Sequence, residues 1–524
     1  MTASAQRSAP PAGYAQPPSD VLRGTPVPTR PREDARRRLG SPVAWMLFGL
    51  AGSVLLTLAG SRLGGGSVTW WFHPPVGSDA GTERVLFYTG IGILIAAWIG
   101  LGRVAREPTL RPRDVSLIVA VWSLPVALGV PLFSRDIYSY LAQGTIAHLG
   151  MSPYHVAPAV LARYGHAHVL HAVDPFWRHN TAPYGPLFLG VISLIVSVTG
   201  AHLVAGALLI RAFDLIGLVL LAVCVPRLAR SLGGDPTRAV WLGVASPLVL
   251  LQLVAPAHND LLMAGLLAAG VTLAIERRAL LAVAVCALAA TVKLPAIVAV
   301  AFIVLAWARE TERPSLRLAR LLEGAGSAVA ALAIVTVVTG FGTGWVSSGL
   351  FSTPARVHLA ITPATDFSWT VAKLGHSLGT SLDFHSVNSV LRLIIFALSA
   401  GAVVLLLLRS RRATLAPYLG LALVVLAIGG PALWPWYLSW GVVLLAAWEP
   451  AQRSWLLPGA LLVGAVLVKP GGILALPLQS SPVVACLWIA LALGVVYRWR
   501  RRKQGAPATG NDRIGTPNQF AVER

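Results

Sequence analysis

The sequence predicts an all-α polytopic membrane protein, and three observations carry that prediction. Apolar runs of about 15 to 25 residues recur along nearly the whole chain of 524 residues, long enough to cross a bilayer core as helices. Only 12% of the residues are charged, against 55% apolar, and the mean hydropathy is +0.69. A soluble chain with one or two cores has no use for such a balance. The third observation is where the cations fall. With the N-terminal segment in the cytosol, the inside connections hold 31 of the 42 Lys and Arg residues, as the positive-inside rule requires. The net charge of +21 therefore reads as a topology signal and an attraction to anionic lipid, and no nucleic-acid partner is needed to explain it.

Residues 1–40, rich in Pro, Ser and Arg, contain no apolar core and read as a disordered basic cytosolic tail rather than a signal peptide. Crossings follow at about 43–60, 85–102, 115–132, 203–226, 240–256, 261–275 and 279–292, then at 295–308, 324–342, 388–408, 415–430, 437–448, 455–468 and 481–497. This gives a bundle of roughly 13–15 transmembrane helices over residues 41–498. A second basic cytosolic tail, opening near "RWRRRK", fills 499–524. The run "PLFLGVISLIVSVTG" (186–200) is apolar enough to cross, but counting it would put Arg227, Arg230 and Arg238 outside. It reads as a re-entrant or juxtamembrane helix on the outer face. Cys224, Cys286 and Cys486 lie inside apolar runs, so no disulfide framework is expected. Arg211 and Asp214, three apart within one crossing, read as a buried ion pair.

This topology collects the polar residues on the outer face. Two long segments, 133–185 and 343–387, lie there with four short turns: "AHND" (257–260), "VKLP" (292–295), "PALWPWY" (431–437) and "KPGG" (469–472). The cytosolic connections are too short for a nucleotide-binding domain, and the Gly64–Gly66 run lacks the strand-to-helix setting of a phosphate cradle. Substrates of an outer-face site must then arrive through the lipid. Seven acids are outside: Asp79, Glu83, Asp136, Asp174, Asp260, Asp366 and Asp383. Asp136 follows Ser134, a residue type that caps helices, so it falls in the first turn of "DIYSYLAQGTIAHL", where the helix dipole favours an ionised carboxylate. It is either a general base or a cap paired with Arg135. Ile137, Tyr140, Leu141 and Thr145 share a face that would lay this helix along the membrane. His258, Asn259 and Asp260 form either a polar turn or part of the same cavity. Lys293, between two short apolar segments, either snorkels or holds a phosphate ester. "HAHVLH" (166–171) has metal-like spacing but reads as a solvated loop. Trp434 and Trp436 stack on a sugar or belong to the interfacial aromatic belt.

Taken in order, "FSRDIYSYLAQG", "SPY" (152–154), "TAPYGP" (181–186) and "HND" after "PLVLLQLVAPA" resemble the actinobacterial polyprenyl-phospho-mannose-dependent α-1,6-mannosyltransferases of lipomannan and lipoarabinomannan synthesis, members of the membrane-embedded GT-C class. The motifs cover about residues 85–300, and the hydropathy pattern continues to about 500. The resemblance implies an inverting transfer outside the cytoplasmic membrane, from polyprenyl-phosphate-mannose as lipid donor to a mannan or lipomannan acceptor. It maps the base onto Asp136 and a second acidic position onto Asp260, where the family also admits Glu. The motif side chains Arg135, Tyr138, Tyr140, Tyr154 and Tyr184, with His258, Asn259, Lys293, Trp434 and Trp436, are then candidate substrate contacts. The class usually carries its base after the first crossing; here it follows the third, so two extra N-terminal helices are expected. No cofactor is required, and a divalent cation at Asp136 and Asp260 is left open. Besides a transferase, the broken helices around "VKLP" suit a lipid or solute transporter, and the polar outer loops suit a scaffold of envelope assembly.

Overall fold

The computed structural model describes residues 41–64, 68–71, 79–108, 110–348, 358 and 361–504. The 1–40 tail, Gly65 and Gly66 of the glycine run, parts of the 343–387 loop and the end of the second tail lie outside these residues. Among the described residues the regular structure is all helical, apart from one isolated bridge between Val468 and Leu474. The main helices are α1 (Pro42–Gly64), α2 (Ala80–Val104), α3 (Pro112–Leu128), α4 (Asp136–His148), α5 (Pro186–Thr199) and α6 (Leu203–Ser231). They continue with α7 (Pro236–Val254), α8 (Asp260–Ile275), α9 (Ala279–Ala290), α10 (Ile297–Ala308), α11 (Pro314–Thr339) and α12 (Pro363–Ser377). The last five are α13 (Phe384–Arg409), α14 (Leu415–Gly429), α15 (Ser439–Leu445), α16 (Leu456–Val466) and α17 (Ser481–Gln504). Eight helices among the described residues are long and apolar enough to cross a membrane, and six shorter apolar ones accompany them. The chain is thus an all-α polytopic membrane protein. The 14-residue α5 is about 21 Å long, short of a hydrocarbon core of about 30 Å. It packs against α4.

Small residues let these helices approach closely, since lipid provides no hydrophobic drive between them. α1 and α2 form a hairpin in which a side chain on Gly90 would strike the backbone of Leu56 and Gly52. α6 and α8 meet at Gly217 and Gly265, where a Cβ on Gly217 would collide with the Leu261 carbonyl. That contact places the start of α8, and with it Asp260. Gly217→Val should therefore cost about 1–3 kcal/mol or more through overpacking, seen as a lowered unfolding temperature in detergent.

Arg211 does not pair with Asp214. Its guanidinium donates to the carbonyls of Ala127 and Ala255, at 3.1 and 2.7 Å, and to that of Gly129. It also lies 5.3 Å from the Trp70 ring centroid. Carbonyls left open at the end of α3 and after α7 must be satisfied inside the protein, and Arg211 satisfies both ends at once. It thereby ties the segment before Asp136 to the segment before His258. Asp214 is buried, and neither of its carboxylate oxygens has a hydrogen-bond partner.

Candidate active site

Three turns assigned separately to the outer face pack on one another. The Phe133 amide donates to Pro470 at 3.0 Å, and the Leu132 amide to Ala255 at 3.5 Å. Phe133 and Ala257 take left-handed conformations, φ 65° and 58°. Non-glycine residues enter that region at a cost of about 1–2 kcal/mol each, and these two stand just before Ser134-Arg135-Asp136 and His258-Asn259-Asp260. "TAPYGP" docks beside "VKLP": the Gly185 amide donates to Val292 at 3.1 Å, and a Cβ at Gly185 would strike the Thr291 backbone. Tyr184 is thus brought to Lys293, and the two line one cavity of about 780 Å³.

Asp136 opens α4 with its amide donating to Ser134 Oγ at 3.1 Å. The face of α4 read as lipid-facing is instead packed inside the protein. Residues 137–146 are all buried, because α5 and α6 cover the face expected to meet lipid. The cavity is instead met by Asp136, Ser139 and Gln143, spaced i, i+3 and i+7 along one stripe. Ser139 Oγ and Gln143 Oε1 are buried without hydrogen-bond partners, which suits them to a hydroxyl-rich ligand. This stripe was missed in the sequence, although its spacing was there to be read.

Of the seven outer acids, only Asp136 lines the cavity among the described residues. Asp79, Asp174 and Asp383 cap helices, accepting from the amides of Gly81, Phe176 and Ser386. Glu83 is buried on α2. Asp366 on α12 accepts from Trp488 Nε1 of α17 at 3.1 Å. Asp260 receives both of its Lys293 bonds, at 2.9 and 2.8 Å, and a third from Trp440 Nε1. Lys293, 13% exposed, also lines the cavity. It also sits 4.5 Å above the Tyr437 ring, a cation–π contact. Both Asp260 oxygens are thus engaged by protein groups.

His258 supports Asp136 from behind. Its Nδ1 lies 2.6 Å from the Gln252 carbonyl, which only accepts, so Nδ1 carries the proton. Nε2 then presents a bare lone pair 3.7 Å from Asp136 Oδ2. Burial pushes the imidazole down to about 4, so His258 is neutral at working pH. Burial also pushes the Asp136 carboxyl up to about 6, against the pull of Lys293. If Asp136 must be ionised to act, kcat/KM rises with pH, reaches half its limit near pH 6 and stays level to pH 8. A rate profile measured from pH 4.5 to 8 checks this; a profile already level at pH 5 contradicts it.

The remaining candidates fall into two groups. Trp434 and Trp436 line the cavity, stacked at 4.7 Å, and the His258 ring lies tilted against Trp436 at 4.0 Å. Arg135 is turned away: it donates to the Ala172 carbonyl at 2.7 Å and does not pair with Asp136. Tyr138 accepts from Trp70, Tyr140 packs edge-on to Tyr184, and the Tyr154 hydroxyl donates to the Tyr184 carbonyl. These three position the walls from outside the cavity. Asn259 is fully buried, and neither polar atom of its side chain has a partner. Among the described residues no three His, Cys, Asp or Glu side chains converge as a metal site, the 166–171 histidines included.

Residues 46–309 match the family described as "Alpha-(1->6)-mannopyranosyltransferase, N-terminal domain". The chain belongs to that family. Residues 364–499 match the MptB C-terminal domain. The mannosyltransferase is 35% identical to alpha-(1->6)-mannopyranosyltransferase A of Mycobacterium tuberculosis over 78% of this chain and 80% of the relative. It is 30% identical to a probable alpha-(1->6)-mannopyranosyltransferase of Mycolicibacterium smegmatis over 87% and 89%. To alpha-(1->6)-mannopyranosyltransferase B of Corynebacterium glutamicum it is 28% identical over 86% and 80%. No solved structure matches the chain. The protein is therefore a membrane glycosyltransferase, and the transporter and scaffold readings are set aside.

Proposed function

We propose that this mannosyltransferase moves mannose from polyprenyl-phosphate-mannose to the 6-hydroxyl of a mannan or lipomannan acceptor, with inversion, on the outer side of the cytoplasmic membrane. The observation that carries this reading is a cavity walled by apolar membrane helices whose one lining acid among the described residues is Asp136. Asp136 takes the proton of the acceptor hydroxyl as its oxygen attacks the anomeric carbon. The bond from that carbon to the phosphate oxygen breaks, and the electron pair leaves with polyprenyl phosphate. The Lys293 ammonium, which lines the cavity, stabilises the charge growing on the phosphate. Ser139 and Gln143 hold sugar hydroxyls, and the Trp434–Trp436 stack offers a ring face. The outer-side orientation, with both tails in the cytosol, is supported by the 31 inside cations of 42 and by the packing together of turns assigned to that side.

The test supplies purified protein with a short α-mannoside and, in parallel, β-mannosyl polyprenyl phosphate or GDP-mannose, then determines the new linkage by NMR. An α-1,6 product from the lipid donor alone is expected. Product from GDP-mannose alone, or retention at the anomeric carbon, overturns the reading.

A further inference from the structure

A second aromatic surface reaches the cavity from the loop before α5. Trp177 lines the same cavity as Asp136, Trp434 and Trp436. Its neighbour Phe176 is 48% exposed and meets it edge-on at 4.7 Å. The turn that carries both rings is braced on each side. The Phe176 amide donates to Asp174 Oδ1 and the Trp177 amide to the Asp174 carbonyl, each at 2.9 Å. Asn180 Nδ2 donates to the Phe176 carbonyl at 2.9 Å. Arg178 donates to the carbonyls of Val173 and His171, at 3.1 and 3.2 Å. The residue before the base holds the same strip: Arg135 donates to the Ala172 carbonyl at 2.7 Å and to that of His171 at 3.4 Å. Arg135 and Arg178 thus share the His171 carbonyl, which ties the aromatic turn to the start of α4. Aromatic rings give a large contact area at small conformational cost, and fixing them beforehand lowers the cost of binding further.

We infer that Trp177, with Phe176, forms a second sugar subsite for the acceptor mannose that precedes the one being extended, and that Arg135 is the positioning residue that sets its register to Asp136. The inference rests on the mannan acceptor proposed above and not on the identity of the donor. Trp177 and the Trp434–Trp436 pair come from distant parts of the chain, so the cavity offers aromatic surface to more than one ring. A hexose can bury a C–H face against an aromatic ring and keep its hydroxyls for polar partners and water. The charged side chains of the turn, Asp174 and Arg178, are committed to its own amides and carbonyls. That suits a neutral glycan rather than an ionic ligand. A single mannose can reach Asp136 without this surface, whereas a longer acceptor gains it. The site therefore favours acceptors of two or more mannoses.

The experiment uses the full-length protein in nanodiscs with methyl α-mannoside and α-1,6-mannobiose. Binding is measured first by titration calorimetry without donor, and transfer afterwards with the lipid donor. Wild type is expected to bind the biose about tenfold more tightly than the monosaccharide. Trp177→Ala brings that preference close to one, and Trp177→Phe keeps part of it. In turnover, the ratio of kcat/KM for biose over monosaccharide follows the same order. Arg135→Gln lowers this ratio too, because the second ring is then held out of register. A purely structural loss would slow both acceptors alike and leave the ratio unchanged. Phe176→Ala alters an exposed side chain and is expected to weaken the preference; it decides the matter if Trp177→Ala fails to fold. Equal affinity of wild type for the two acceptors overturns the subsite, as does a preference that survives both Trp177→Ala and Phe176→Ala. Transfer from the lipid donor that ignores acceptor length overturns the subsite and leaves the proposed function standing. Trp177-dependent binding of the biose without any transfer from the lipid donor upholds the subsite and counts against that donor instead.

Discussion

Asp136→Asn is expected to lower kcat by about 10²- to 10⁴-fold, the range of a lost general base, while leaving the protein folded and no less stable. The two side chains have the same shape, and the neighbourhood explains the second half of the expectation. In the wild type, His258 Nε2 is an acceptor facing the Asp136 carboxylate, also an acceptor, at 3.7 Å. The asparagine amide can donate to Nε2, giving that buried atom the partner it lacks, a gain of about 1 kcal/mol. Activity and stability should therefore move in opposite directions, read by turnover and by thermal unfolding on the same preparation. A variant that loses both equally has failed as a fold and says nothing for a base; one that keeps wild-type turnover removes Asp136 from the chemistry.

Lys293→Ala has the largest expected effect on stability, about 3–5 kcal/mol, because it strands a buried carboxylate. Asp260 is 1% exposed in its side chain and holds Lys293 through both oxygens. Asp260→Asn strands the ammonium instead and should cost a similar amount. The double variant Asp260→Asn/Lys293→Met removes both charges and keeps an oxygen for Trp440 Nε1; its stability should return close to wild type. Thermal unfolding of the three variants is the check, and a double variant as unstable as the sum of the singles contradicts the pairing. The same set separates packing from catalysis: if the Lys293 ammonium serves the leaving phosphate, the stable double variant still turns over slowly.

Much of the site was legible because polar residues are scarce in such a chain. Asp136, the 257–260 turn, Lys293 and the "WPWY" tryptophans stood out against apolar sequence, and the structure brings them within one neighbourhood. Direction was harder to read. An apolar stripe can meet lipid or other helices equally well, so Ile137, Tyr140, Leu141 and Thr145 of α4 were read as facing lipid and the polar Asp136-Ser139-Gln143 stripe beside them went unseen. Arg211 and Asp214 have the spacing of a pair, but the carbonyls of Ala127, Gly129 and Ala255 are nearer to the guanidinium's needs. Such partners come from distant segments and leave no local trace. The role of His258 depended on a single carbonyl, that of Gln252, which fixes the tautomer.

The most direct test of the central claim is a cryo-EM structure of the full-length protein in nanodiscs with a non-hydrolysable β-mannosyl phosphonate analogue of the polyprenyl donor. The account predicts the mannose beside Asp136, Ser139 and Gln143, with the phosphonate near Lys293. Density for the analogue at another site, with this cavity unchanged, would contradict it.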